Sequence, residues 1–103
     1  MSRRVQIEEM LKETPDDPFL RYGLAMEYVS AGDDRGAAER FRELVAVAPD
    51  YVPAYMQGGQ VLVRLGQTGP AKEMWRRGVA VARRQGNSHA ADEMEGFISE
   101  ISD

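Results

Sequence analysis

The chain has 103 residues, of which 43 % are hydrophobic and 29 % charged, as in one globular domain, and this excludes a disordered chain. Its formal net charge of −4 argues against nucleic acid as a partner, and the lack of cysteine excludes disulfides, thiol nucleophiles and thiolate metal sites. No apolar run approaches the ~20 residues that span a bilayer, and no apolar block follows Met1–Arg4, so we expect a cytoplasmic protein without a membrane segment.

The first predicted element is a helix within residues 2–15. Ile7, Met10 and Leu11 recur at helical spacing, and Pro15 ends the segment.

Two helices joined by a tight turn are predicted next. Asp17 is a candidate N-cap with Pro18 in the first helical position, and Gly32 is predicted to be a left-handed C-cap. Asp33 or Asp34 then caps a second helix, which Pro49 ends. The apolar residues at helical spacing in this pair are Leu20, Leu24, Ala25, Tyr28, Val29, Ala37, Ala38, Phe41, Leu44, Val45 and Ala48.

A second pair of helices follows the same scheme. Pro53 is predicted to open its first helix, Gly66 to close it, and Thr68 to cap the second. The apolar positions are Tyr55, Val61, Leu62, Leu65, Ala71, Trp75, Val79 and Ala82. Gly58 and Gly59 lie inside a helix, where each costs about 1 kcal/mol relative to alanine. We interpret the two glycines as admitting the close backbone approach of a neighbouring helix.

The last predicted element is a capping helix. Gly86 stops the preceding helix, which has Arg83 where a proline would end it, and Asn87 or Ser88 starts the next. Its apolar stripe consists of Ala90, Met94, Phe97, Ile98 and Ile101. A stack of repeats needs such a cap, so we predict that this helix covers Trp75.

The residues that punctuate these elements recur with a period of 34. The matched pairs are Gly32 and Gly66, Ala37 and Ala71, Phe41 and Trp75, and Pro15 and Pro49. Several small, aromatic and helix-breaking residues in one register indicate a repeat architecture.

The period and the residue types resemble those of the tetratricopeptide repeat. The first unit matches at Leu24-Ala25, Tyr28, Gly32, Ala37, Phe41 and Pro49, and the second at Tyr55, Gly59, Leu62, Gly66, Ala71 and Trp75. Arg21, Gly58 and Arg83 depart from the pattern. The resemblance implies an all-α, right-handed α–α superhelix of about six helices in a single domain, 1–103. Its parts are a half-repeat helix (2–15), two repeats (16–50 and 51–85) and a capping helix (87–102).

No residue constellation indicates catalysis. His89 has Asp92 and Glu93 three and four residues later, but no second histidine or cysteine completes a metal shell. No glycine frame surrounds a serine, and no glycine-rich loop is suited to phosphate. We therefore expect no enzyme activity, no metal and no cofactor.

The densest positive patch is predicted to be structural. Its members are Lys72, Arg76, Arg77, Arg83 and Arg84. Basic residues near a helix C-terminus complement the helix dipole, and these are placed to pair with Asp92, Glu93 and Glu95. Contact with an acidic partner or with phosphates is the alternative.

In the tetratricopeptide repeat family the first helix of each repeat lines a concave groove that binds peptides or helices. The groove register carried onto this chain gives Phe19, Tyr22, Met26, Val29, Met56, Gln57, Gln60, Val63 and Arg64, with Pro53 beside them. Tyr22, Met26 and Gln57 stand where some members carry the lysines and asparagines of a carboxylate clamp, so such a clamp is not expected.

The resemblance implies a non-catalytic module that binds a protein or peptide in this apolar groove. Two alternatives stay open. Part of the stripe could be covered by the N-terminal helix or simply belong to the core. Alternatively, the N-terminal helix could pair with another copy and make a self-assembling domain.

Overall fold

A computed structural model describes residues 2–101 and contains six α-helices and no strand in that range. The helices are α1 (Arg3–Glu13), α2 (Pro18–Ser30), α3 (Asp34–Val47), α4 (Val52–Arg64), α5 (Thr68–Arg84) and α6 (Ser88–Glu100). The predicted all-α class and the number of helices are confirmed. The part of the predicted capping helix at residue 102 lies outside the described residues.

Each helix packs mainly against its neighbours in the chain, which gives a layered stack measuring 41 × 29 × 19 Å. Short turns make α2 and α3 one antiparallel hairpin and α4 and α5 another. A single core runs through the stack, and its largest fully buried side chains are Tyr55, Phe41, Leu44, Met94 and Val61.

Three glycines end helices in the same way. Gly32, Gly66 and Gly86 have φ values of 78°, 77° and 73°, the left-handed conformation that glycine adopts without a steric penalty. At each of them the next residue donates its N–H to a carbonyl five positions earlier, as Asp33 does to Tyr28 at 2.9 Å. Each glycine also donates its own N–H to a carbonyl three positions earlier, as Gly32 does to Val29 at 3.0 Å. The two bonds together satisfy helix-end carbonyls, and they confirm the predicted turns.

The helix starts agree with prediction at three places and differ at two. The side chains of Asp17, Asp33 and Asn87 accept backbone N–H bonds as N-caps. Thr68 is not a cap, because the cap position is Gln67, whose side chain makes no capping bond, and Thr68 is the first helical residue. Pro53 is the second residue of α4 rather than its first.

The glycine pair in α4 accommodates a side chain and not, as predicted, a backbone. A Cβ added to Gly59 would lie 2.2 Å from Nε1 of Trp75, so the indole ring rests on the α4 backbone. The same Nε1 donates a hydrogen bond of 3.1 Å to the carbonyl of Met56. A Cβ on Gly58 would lie 3.3 Å from both Met74 Cε and Phe41 Cβ.

The capping role of α6 is confirmed. Phe97 lies over Trp75 with ring centroids 5.2 Å apart, Met94 is fully buried, and only 3 % of Trp75 is exposed. The α6 face turned away from the core carries polar residues, including His89, Asp92 and Glu93. The C-terminal end of the stack is therefore closed by a helix that is apolar inside and polar outside.

We predict that Gly59→Ala destabilises the fold by about 1–3 kcal/mol, because the added methyl overlaps the Trp75 ring and forces it to move. Urea unfolding followed by circular dichroism measures the change. Gly96→Ala in α6 is the matched control, because nothing lies within 4 Å of its added Cβ. Its expected effect is a gain of up to about 1 kcal/mol from helix propensity. Equal midpoints for the two variants would contradict the proposed fit between Gly59 and Trp75.

Candidate interaction surface

An apolar groove lies between α1 and α2, and we call it the N-terminal groove. Its volume is about 570 Å³. The α1 side is formed by Arg3, Gln6, Ile7 and Met10, and the α2 side by Phe19, Leu20, Tyr22, Gly23, Met26 and Glu27.

The helix α1 is held on α2 by one buried side chain and by polar contacts. Ile7 is the single buried residue of α1, and its Cδ1 lies 3.5 Å from where a Cβ on Gly23 would be. Arg4 lies 4.0 Å above the Tyr28 ring and donates a hydrogen bond to the Tyr28 hydroxyl. Arg3 pairs with Glu27 at 3.5 Å. These contacts make the two helices antiparallel and leave a groove beside Ile7.

The mouth of the N-terminal groove is the most exposed apolar surface of the described residues. Phe19 is 73 % exposed and Met10 53 % exposed, while Tyr22 and Met26 are half-buried. Contiguous patches of exposed apolar side chains commonly mark interaction sites.

Tyr22 links the N-terminal groove to the core. Its ring lies 6.1 Å from that of Phe41 and 5.7 Å from that of Tyr51. Burial raises the pKa of the Tyr22 hydroxyl above 10.0, and Tyr51 raises it further. One side of Tyr22 is therefore structural, and the other faces the groove.

A second, smaller cavity of about 390 Å³ lies at the other end of the stack. We call it the C-terminal pocket, and it is lined by Gln60, Val63, Arg64, Trp75, Phe97, Glu100 and Ile101. Arg64 is oriented by Asp34, to which its Nε and Nη2 donate bonds of 3.1–3.3 Å. The C-terminal pocket therefore has an apolar floor, and the Arg64 guanidinium is held in place at its edge.

The nine groove residues predicted from the family register fall into three groups. Phe19, Tyr22 and Met26 lie together in the N-terminal groove. Gln60, Val63 and Arg64 lie together in the C-terminal pocket. Val29, Met56 and Gln57 are half-buried and line neither cavity.

The prediction omitted the residues that α1 and α6 contribute. Ile7 and Met10 form one wall of the N-terminal groove, and Phe97 and Ile101 one wall of the C-terminal pocket. The apolar stripes of both helices were visible in the sequence. Their use as groove walls depends on how the terminal helices pack, which a register within one repeat does not specify.

The other candidate sites are structural or solvated. The His89 side chain is 91 % exposed, with Nε2 3.6 Å from Glu93, and no metal-binding cluster is found among residues 2–101. None of the helices in this range has the length and apolarity needed to cross a bilayer.

The basic patch on α5 pairs with the capping helix through Arg83, as predicted, whereas Arg76 and Arg84 pair with acids outside that helix. Arg83 pairs with Asp92 at 3.3 Å and also with Glu95, while Arg84 lies 3.7 Å from Asp50. Glu93 is not among these partners, because it lies next to His89. Arg77 packs over the Tyr55 ring at 5.4 Å.

Comparison with known proteins gives the family. The chain is 32 % identical over 95 residues to the TPR repeat-containing protein PA0015 of Pseudomonas aeruginosa, an alignment that covers 92 % of this chain and 90 % of the relative. The chain belongs to the tetratricopeptide repeat family. No protein-family model matches the sequence.

Solved structures agree with this assignment. The solution structure of a tetratricopeptide repeat domain protein from Salinibacter ruber is 35 % identical with a TM-score of 0.79, over 84 % of this chain and 87 % of that one. Protein BPP2914 of Bordetella parapertussis, at 24 % identity, shares the fold with a TM-score of 0.80 over 96 % and 86 % of the two chains. Tetratricopeptide repeat proteins generally mediate protein–protein interaction and are generally non-catalytic.

The raised pKa of Tyr22 predicts a loss of stability at alkaline pH. A phenol whose pKa is higher in the folded state contributes stability that is complete below pH about 10, the unfolded value, and is lost as the pH rises through the folded value. Tyr22→Phe removes this contribution, so the free energy of unfolding of this variant should fall less steeply than that of the wild type in the alkaline range around and above about pH 10. Urea unfolding across that range measures the slopes, and equal slopes for the two proteins would contradict the prediction.

Proposed function

We propose that this protein is a non-catalytic interaction module that binds an apolar helix or extended peptide of a protein partner. The observation that carries the proposal is the N-terminal groove, which places exposed Phe19 and Met10 beside half-buried Tyr22 and Met26. A partner that covers this surface stabilises the complex by about 25 cal/mol for each Å² of apolar area removed from water.

The proposal keeps the nine groove residues predicted from the family register and divides most of them between two contact regions, the N-terminal groove and the C-terminal pocket. The N-terminal groove supplies most of the apolar area, and methionine side chains such as Met26 adapt to varied partners. In the C-terminal pocket, Gln60 and Arg64 supply polar groups that fix the register of a bound segment. Val29, Met56 and Gln57, which are half-buried and line neither cavity, are kept in the proposed surface as predicted from the family register.

The rest of the functional assignment follows from the family and the composition. We propose no enzyme activity and no cofactor, in keeping with a family that is generally non-catalytic. A cytoplasmic setting is supported by the absence of cysteine. The net charge of −4 supports a protein partner over nucleic acid.

Phe19→Glu is expected to abolish partner binding, because it places a charge at the mouth of the N-terminal groove, where a bound segment would have to desolvate it. The stability of the variant should change by no more than about 0.5 kcal/mol, since Phe19 is 73 % exposed. Affinity capture with quantitative mass spectrometry measures which proteins bind the wild type and fail to bind the variant.

Val47→Glu is the matched control, because Val47 is 41 % exposed on α3 and lines neither cavity. Proteins captured specifically by the groove should be retained by Val47→Glu. Identical captured sets for wild type and Phe19→Glu would overturn the proposed function.

A further inference from the structure

The repeat register shows what the N-terminal groove lacks. Ile7 and Met10 of α1 stand 34 residues before Phe41 and Leu44 of α3. Phe41 and Leu44 are fully buried because both α2 and α4 pack on α3, whereas Ile7 is buried but Met10 is 53 % exposed. Among residues 2–101, no helix covers α1 as α2 covers α3. The groove therefore offers a place for one further helix against both α1 and α2.

The charged side chains near the two ends of α1 define the direction in which a further helix would lie beside it. Arg3 lies at one end, with its side chain 75 % exposed although it pairs with Glu27. Glu13, the last residue of α1, and Asp16, three residues later, are both exposed and in no ion pair within the described part of the chain. A helix running antiparallel to α1 places its positive N-terminus near the two acids and its negative C-terminus near Arg3.

The α1 helix itself has the features that this position requires. It presents Ile7 and Met10 on one face, and it carries Arg3 in its first turn and Glu13 in its last. Lys12 is turned away from this face and pairs with Glu9 at 3.0 Å. Two copies of α1 laid antiparallel therefore bring Arg3 of each copy to Glu13 of the other, twice in one interface.

We infer that the N-terminal groove is occupied by α1 of a second copy of this chain, in a symmetric dimer. The inference rests on the proposed function, since it names the polypeptide that the groove binds. The two-fold axis crosses α1 near its centre, so that each copy inserts its Met10 and Phe19 side chains against the other's groove. Such a contact uses the same patch on both copies and stops at the dimer.

The opposite end of the stack supports a closed dimer and not a chain of stacked copies. The outward face of α6 carries His89, Asp92 and Glu93 and offers no apolar stripe to pack on α1. Head-to-tail stacking would bury those polar groups without partners, which costs free energy. The apolar contact is thus available at one end of the molecule.

The experiment is sedimentation equilibrium of the purified full chain, from about 5 µM to about 1 mM, the range in which weak dimers are detected. We expect a reversible monomer–dimer equilibrium. Phe19→Glu should weaken the dimer at least tenfold, and Val47→Glu should leave the dissociation constant unchanged within about twofold. Circular dichroism verifies that each variant is folded.

A reciprocal charge exchange tests the antiparallel geometry. Glu13→Arg and Arg3→Glu should each weaken the dimer several-fold, because each places like charges together across the two-fold axis. The double variant should recover at least part of the lost affinity. A double variant weaker than both single variants would overturn the antiparallel arrangement.

Two further outcomes separate this inference from the proposed function. A strict monomer at about 1 mM, with partner capture still dependent on Phe19, would overturn the dimer and retain the binding module. A dimer insensitive to Phe19→Glu would also overturn the inference, because association would then use another face. Dimerisation through Phe19 with no foreign protein captured would support a second copy as the occupant of the groove, and would overturn only the binding of a foreign partner.

Discussion

A stack of helices buries its core only where each helix has a neighbour on both sides, and the rest of this structure depends on that constraint. In the middle of the stack the condition is met, and Phe41, Leu44, Val61 and Tyr55 are almost fully buried. At the ends it cannot be met by repetition alone, because a terminal repeat exposes its stacking face. Function in this small domain is therefore to be sought where the stack ends.

The two ends meet the constraint differently. At the C-terminal end, α6 packs Met94 and Phe97 against the core and exposes polar side chains to solvent. The last face of the stack is therefore polar. At the N-terminal end α1 covers α2 only partly, through one buried residue, Ile7. The apolar side chains that α1 leaves uncovered are too exposed to belong to the core. They also form a more contiguous patch than the scattered apolar residues of an ordinary protein surface.

The centre of the stack shows how a local cost is offset by tertiary packing. Gly58 and Gly59 weaken α4 as an isolated helix by about 1 kcal/mol each relative to alanine. The space they leave admits the indole of Trp75, which buries a large apolar surface and donates its N–H to the Met56 carbonyl. Phe97 then closes over the indole, so that the cap and the repeat share one aromatic cluster.

Much of the fold could be predicted from the sequence because its signals are local. The glycines Gly32, Gly66 and Gly86 and the caps Asp17, Asp33 and Asn87 each act within a few residues, and the 34-residue period then repeats the hairpin. The prediction of Thr68 as an N-cap was wrong by one position, because the N-cap and the first helical residue are adjacent. Residue type alone does not tell these two positions apart.

The candidate site was only partly predictable, because its walls come from different parts of the chain. Phe19, Tyr22 and Met26 share a face of α2, and helical periodicity groups them. Met10 belongs to the same groove through the packing of α1 on α2, which is set by Ile7, Gly23 and the Arg4–Tyr28 contact. That packing is a tertiary outcome that no spacing within α2 encodes.

The weak attachment of α1 bears on how the N-terminal groove works. A helix with one buried side chain and mostly exposed polar contacts belongs to the low-stability part of a fold. The α2 wall of the groove is held more firmly, because Tyr22 packs on Phe41 and Tyr51. The N-terminal groove thus has one wall anchored in the core and one wall held mainly by Ile7 and by the Arg4–Tyr28 contact.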